Sequence, residues 1–247
     1  MGTRKQMEQA LRRVLTGEGL SRPDYSIVIP VIWTQDGPEL LIEVRAAGIS
    51  QEGDPCFPGG RIEPGETPAR AAVRELKEKY KYVSVAGLSM GGCLSLIAAE
   101  QTDVTACVSI SAPMKTQQKF TWAAPIAALF MPEMMWKNGA VNDKTRLMPE
   151  YNIGYAGMPT ARVADLSRLM KQARKNLYSI TCPLLSVQSH ADETISADSA
   201  DIIQQGVSSQ IKRLVWLEDV PHVCTISKEM EHIGREMAEF LRKAQNG

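Results

Sequence analysis

Gly87-Leu88-Ser89-Met90-Gly91-Gly92 restricts the folds open to this chain more than any other stretch. Residues 82–86 (Tyr-Val-Ser-Val-Ala) read as a short buried strand, and 90–100 as a helix of small and apolar residues. A serine between glycines at such a junction describes a tight strand-to-helix turn that exposes a hydroxyl above a parallel sheet. The glycines permit the turn, and the positive end of the helix favours negative charge beside Ser89, with the Met90 backbone N–H as an oxyanion donor. Beyond the turn the alternation continues: strands over 104–109, 184–188 and 211–217, helices over 197–205 and 227–244. Strands that alternate with helices predict βαβ units and a parallel sheet from about residue 82 onward. Residues 114–178, methionine-rich and helical in pattern, read as an insertion over that scaffold.

An exposed serine hydroxyl needs a base and an acid to become a nucleophile, and the chain order serine, acid, histidine is met here. Asp192 lies in His190-Ala191-Asp192-Glu193-Thr194, just after the strand over 184–188. Of the three histidines, His232 falls in mid-helix and His190 precedes the acid. His222, between the strand over 211–217 and the last helix, has the placement of a general base. Ser89, Asp192 and His222 are the candidate catalytic residues.

The residues ahead of the turn carry different chemistry. A short amphipathic helix is predicted over 3–15. Strands over 25–33 and 39–45 flank the turn Gln35-Asp36-Gly37-Pro38 and predict a hairpin. After a glycine-rich loop, Thr67 caps a helix that Pro68 opens. On it Glu75 and Glu78 stand three apart, so both carboxylates share a face, with Glu66 in the loop before. Carboxylates together with water and substrate phosphates are the usual ligands of Mg²⁺.

Gly60-Arg61-Ile62-Glu63-Pro64-Gly65-Glu66 followed by Arg74-Glu75-Leu76-Lys77-Glu78, with Phe57-Pro58-Gly59-Gly60 as lead-in, resembles the box of the Nudix hydrolase family. The resemblance runs over 25–78 and implies Mg²⁺-dependent cleavage of nucleoside diphosphate derivatives, with Glu75 and Glu78 as metal ligands. It departs at Lys79, where the family carries a ligating glutamate, and at Lys81, where it carries a glycine. The strands and second helix that the family places after its box are not found beyond residue 80.

From about residue 80 to the end, the chain resembles the α/β-hydrolase family, more narrowly the small bacterial carboxylesterases and monoacylglycerol lipases. The resemblance rests on Ala86-Gly87-Leu88-Ser89-Met90-Gly91-Gly92, Ser111-Ala112-Pro113, the insertion, and the loops of Asp192 and His222. It implies that Ser89 attacks an ester carbonyl, His222 relays its proton and Asp192 orients the imidazole, with no cofactor. The insertion would be a cap whose Trp122, Phe130, Met131, Met134, Met135 and Trp136 suit an acyl pocket or the cap's own core. The front of this pattern is missing, including the turn after the third strand that supplies the second oxyanion N–H.

The expected fold is therefore α/β: a partial α/β-hydrolase-type parallel sheet with a helical cap, preceded by a truncated Nudix-like α+β segment. The expected parts are 1–79 and 80–247, with the cap at about 114–178. The expected activity is that of a serine ester hydrolase weakened by its missing front; the alternatives are a chimera with no competent site and a Mg²⁺-dependent Nudix hydrolase. A formal net charge of zero gives no case for nucleic acid or an anionic membrane. Five scattered cysteines without metal-ligand spacing, and a polar N-terminus unlike a signal peptide, place the chain in the cytoplasm. The expected partner is a small acyl ester. An elbow strand deprived of its neighbours also predicts self-association through its open edge.

Overall fold

The structure, a computed structural model, describes residues 61–115 and 160–246, together with the backbone of several short strands outside those ranges. The residues named for the acyl pocket lie outside it, save for the backbone of Met134 and Met135, as do the helix predicted over 3–15 and the turn Gln35-Asp36. The chain divides into two compact units, one of Ser21–Val83 and one holding Ser84–Gly247.

In the first unit the predicted hairpin forms: β2 (Val31–Thr34) pairs antiparallel with β3 (Gly37–Leu40), Thr34 opposite Gly37. The run over 25–33 is not one strand, however. β1 (Tyr25–Ile27) pairs instead with β6 (Gly59–Arg61), and Pro30, which has no N–H to give to a ladder, falls between β1 and β2. The run over 39–45 also divides, since β4 (Glu43–Val44) pairs with β5 (Pro55–Cys56). α1 (Pro68–Lys79) starts as its sequence dictates: Thr67 Oγ1 accepts the Arg70 N–H at 3.3 Å, and Pro68 fills the first turn where no N–H is needed. It buries Ala71 and Val73, packs on β1 and β6, and ends where Tyr80 turns extended.

The second unit is built on a four-stranded parallel sheet in the order β12-β11-β8-β7. Its strands are β7 (Val85–Leu88), β8 (Cys107–Ile110), β11 (Leu184–Ser189) and β12 (Lys212–Leu217). Register aligns Leu88, Ile110, Val187 and Val215 in one row across all four strands, and Val108 and Leu185 in the next. That face is covered by α5 (Met230–Asn246), which turns Ile233, Met237, Phe240, Leu241 and Ala244 toward it at helical spacing. Each fully buried side chain of this kind contributes about 1.5–3 kcal/mol. The opposite face takes α2 (Met90–Gln101), with Cys93, Leu96 and Ile97 buried, and α4 (Asp198–Gly206), whose Gln204 donates to Ser186 Oγ at 3.0 Å. α3 (Thr160–Lys175) packs against α2.

Two expectations for the second part also need correction. The elbow strand occupies 85–88 rather than 82–86: Val85–Leu88 lies in register with Cys107–Ile110, whereas Tyr82 is 43% exposed ahead of the ladder. The insertion over 114–178 is not helical throughout. β9 (Glu133–Met135) pairs antiparallel with β10 (Gly157–Pro159), a contact between distant residues that local periodicity does not encode.

Among the described residues β7 is the outer strand of this sheet. Val85 N–H reaches Ala106 O at 3.0 Å and Ser89 N–H reaches Ile110 O at 2.8 Å, so alternate groups, on Ser84, Ala86 and Leu88, face away from β8.

Candidate active site

The three candidate residues leave the sheet at the carboxyl ends of three strands: Ser89 after β7, Asp192 after β11 and His222 after β12. That is the end at which open α/β sheets bind ligands. Ser89 joins β7 to α2 with φ 55° and ψ −117°, a region L-residues rarely enter, at a cost of about 1–3 kcal/mol. Its neighbours leave little choice. A Cβ at Gly87 would stand 2.1 Å from Gly91 O and 2.7 Å from Ser95 Oγ, and one at Gly92 would stand 2.7 Å from Ala112 Cβ. Gly91, the second glycine of the sequence motif, has nothing within 4 Å of that position. The Met90 N–H belongs to the first turn of α2, where no carbonyl of the helix can reach it.

One hydrogen-bonded line joins the three side chains. Ser89 Oγ lies 2.8 Å from His222 Nε2, and His222 Nδ1 lies 2.8 Å from Asp192 Oδ2. The Asp192 side chain is only 1% exposed. Burial alone would raise its carboxyl, but the His222 hydrogen bond and charge and the amides of Ile195 and Thr194 outweigh it and hold the group below its ordinary value. Those amides reach Oδ1 at 2.9 Å each.

Several residues to which the sequence assigned no role in the site surround this line. Gln188 Nε2 donates to Asp192 Oδ2 at 3.2 Å. Ser189, fully buried, donates from Oγ to Val220 O at 2.6 Å and accepts the Ala191 N–H at 3.1 Å, so one hydroxyl ties the acid loop to the histidine loop. Glu193 Oε2 accepts the His222 backbone N–H at 3.3 Å. Ser111, at φ 44°, turns the chain out of β8. The one sequence signal for Gln188 and Ser189 was polarity at the end of an otherwise apolar strand.

The acidic helix is arranged for a different purpose. Arg74 reaches Glu66 at 3.1 Å, Glu75 at 3.0 Å and Glu78 at 3.5 Å, and donates to Arg61 O at 3.1 Å. Its hydrogen bond is the main cause that holds the Glu66 carboxyl below the usual range. Carboxylates shared with one guanidinium, next to Lys79, do not fit the Mg²⁺ that the Nudix resemblance implies. Among the described residues no group of three or more His, Cys, Asp or Glu side chains could hold a metal ion. No described helix is long and apolar enough to cross a membrane.

The comparison with known proteins finds two families, whose matches overlap over residues 69–112. The family model described as "NUDIX domain" matches residues 23–112, and the one described as "Serine aminopeptidase, S33" matches 69–229. A thermostable monoacylglycerol lipase of Bacillus sp. (strain H-257) is 32% identical over 172 residues, 68% of this chain and 66% of the lipase. Nudix hydrolase 3 of Caenorhabditis elegans is 33% identical over 79 residues, 32% of each chain. A solved structure from work on the metagenome-derived lipolytic enzymes LipS and LipT superposes with a TM-score of 0.62 at 26% identity, over 69% of each chain. The chain thus spans a little under two thirds of the lipase it matches. It is a composite in which a Nudix-like segment precedes a larger part, and by that larger part the chain belongs to the family described as serine aminopeptidase, S33.

Proposed function

We propose that the chain is a serine ester hydrolase of the carboxylesterase or monoacylglycerol lipase kind, acting in the cytoplasm on a small acyl ester through Ser89, His222 and Asp192. The observation that carries this is the unbroken line from Ser89 Oγ through His222 to Asp192, each link 2.8 Å. His222 Nε2 takes the hydroxyl proton as Ser89 Oγ bonds to the ester carbonyl carbon, and the carbonyl oxygen becomes an oxyanion facing the Met90 N–H. The imidazolium, held by anionic Asp192, then gives its proton to the departing alcohol and leaves an acyl-serine. Water, deprotonated by His222, attacks that acyl carbon; the proton returns to Ser89 Oγ as the carboxylic acid departs. The reaction draws on side chains and backbone of the chain alone. Although the family description names a peptidase, the relatives matched over the larger part are a monoacylglycerol lipase and a lipolytic enzyme, which favours an ester.

Turnover should be weak. Residues 1–79 show no turn resembling the one that brings the family's second oxyanion donor, and losing one donor costs about 10²–10³ in kcat. The test is labelling by a fluorophosphonate together with hydrolysis of short-chain p-nitrophenyl esters. Ser89→Ala and His222→Ala should each remove most of the activity, and the double variant should lose little more, because such residues act as a unit. Ester turnover unchanged in Ser89→Ala would refute the proposal.

A further inference from the structure

The oxygen of Asp192 that faces the imidazole has two side-chain donors. Oδ2 accepts from His222 Nδ1 at 2.8 Å and from Gln188 Nε2 at 3.2 Å, while the Thr194 and Ile195 amides fill Oδ1. Gln188 itself is 2% exposed, and its Nε2 also reaches Ser189 O at 3.3 Å. Its amide orientation is therefore set: turned over, its oxygen would face both a carboxylate and a carbonyl oxygen. We propose that Gln188 is a positioning residue for the Ser89–His222–Asp192 reaction, fixing the rotation of the Asp192 carboxylate and sharing its Oδ2 with the imidazole. The inference rests on the reading of the triad given above.

The physical content is specific. A carboxylate turns about its Cβ–Cγ bond unless each oxygen is pinned, and a tilted carboxylate misdirects His222 Nε2 away from Ser89 Oγ. The backbone amides pin Oδ1; Gln188, with the imidazole, pins Oδ2. Being neutral, it draws charge from that oxygen without adding a proton that could move to it. The titratable groups around this point are His222, the buried Cys224 thiol and Glu193, which holds the His222 amide. Of these, His222 gives its Nδ1 to Oδ2, and Gln188 adds its amide to the same oxygen.

The experiment compares Q188E and Q188M with the wild type in the full chain. It follows the rate of fluorophosphonate labelling of Ser89 from pH 5 to 9, with a urea melt of each variant. Protonated, the carboxyl introduced in Q188E carries an O–H where glutamine carries an N–H; ionised, it sets a second negative charge against Asp192. Carboxylates so close share one proton, and the second ionisation moves above the ordinary range. The expected result is a Q188E rate near wild type at low pH that falls behind by about tenfold as the introduced carboxyl ionises, and a Q188M rate about tenfold low at every pH. A Q188E to wild-type ratio that is flat with pH, or a Q188M rate equal to wild type, overturns the positioning role while leaving the triad standing. Labelling that is absent in the wild type or survives His222→Ala overturns the triad reading and this inference with it. Should Q188M not fold, the pH dependence within folded Q188E still decides.

Discussion

The glycines of the elbow allow a prediction that the motif alone would get wrong. By the Gly-x-Ser-x-Gly pattern, Gly87 and Gly91 should be equally intolerant of alanine, and Gly92 should matter less. The structure reverses the last two. At Gly87 the new Cβ meets a backbone oxygen at 2.1 Å, which no rotamer change can relieve, and at Gly92 it meets Ala112 Cβ at 2.7 Å across the packed seam between α2 and the end of β8. Overpacking of that kind costs about 1–3 kcal/mol, and the backbone clash at Gly87 belongs at or above the top of the range. With a urea slope of roughly 2–3 kcal/mol per molar, Gly87→Ala should move the midpoint down by about 1 M or more, Gly92→Ala by roughly half as much. Gly91→Ala adds its methyl to open space in a helix, where alanine is better than glycine by up to about 1 kcal/mol, so its midpoint should hold or rise. Urea melts followed by circular dichroism read all three. A Gly91→Ala midpoint falling with that of Gly87→Ala would show that the elbow is packed more tightly than described, and the steric account would fail.

Further predictions concern pH, metal and association. Burial pushes the Glu100 carboxyl up to about 7 from 4.5, so between those values the folded chain holds a proton that the unfolded chain has released, and stability falls as pH rises through the window. Since the residue is only partly buried, the effect should be roughly 1–2 kcal/mol; Glu100→Gln should flatten the melting temperature between pH 5 and pH 8, and an unchanged slope would refute it. Titration calorimetry with Mg²⁺ should show no tight site, because Arg74 already occupies Glu66, Glu75 and Glu78; stoichiometric binding would overturn that account. Size-exclusion chromatography should show oligomers through the edge of β7 that has no described neighbour, and a monodisperse monomer with one cooperative melt would exclude them.

How much of this was legible in advance depended on how local the cause was. Thr67 and Pro68 start α1 by contacts within one turn, and the sequence states them. Ser89, Asp192 and His222 could be found because each lies just past a strand and their order along the chain is constrained. Gln188 and Ser189 could not, since what they do is set by loops that meet only after the strands have aligned: Ser189 acts through Val220, on the next strand's loop. The same limit explains the first unit, where the partner of β1 is β6 rather than the neighbouring strand. The boundary of β7 was misplaced for a different reason. Tyr82 and Val83 have strand composition, but the ladder with β8 begins only at Val85, and Gly87 and Leu88, read as turn, are still within it.

That ladder leaves the three residues of the site unequally anchored. Asp192 and His222 hang from β11 and β12, on loops that Ser189 and the Ser111–Cys224 contact stitch to the interior. Ser89 hangs from a strand with one described neighbour, at the end where a sheet begins to fray. Peeling β7 from β8 would carry the hydroxyl out of reach of an imidazole that had not moved, and closing it again would have to restore a strained turn as well as a ladder. The lifetime of the assembled site is then a property of one short strand, and heat should silence the nucleophile while most of the molecule is still folded.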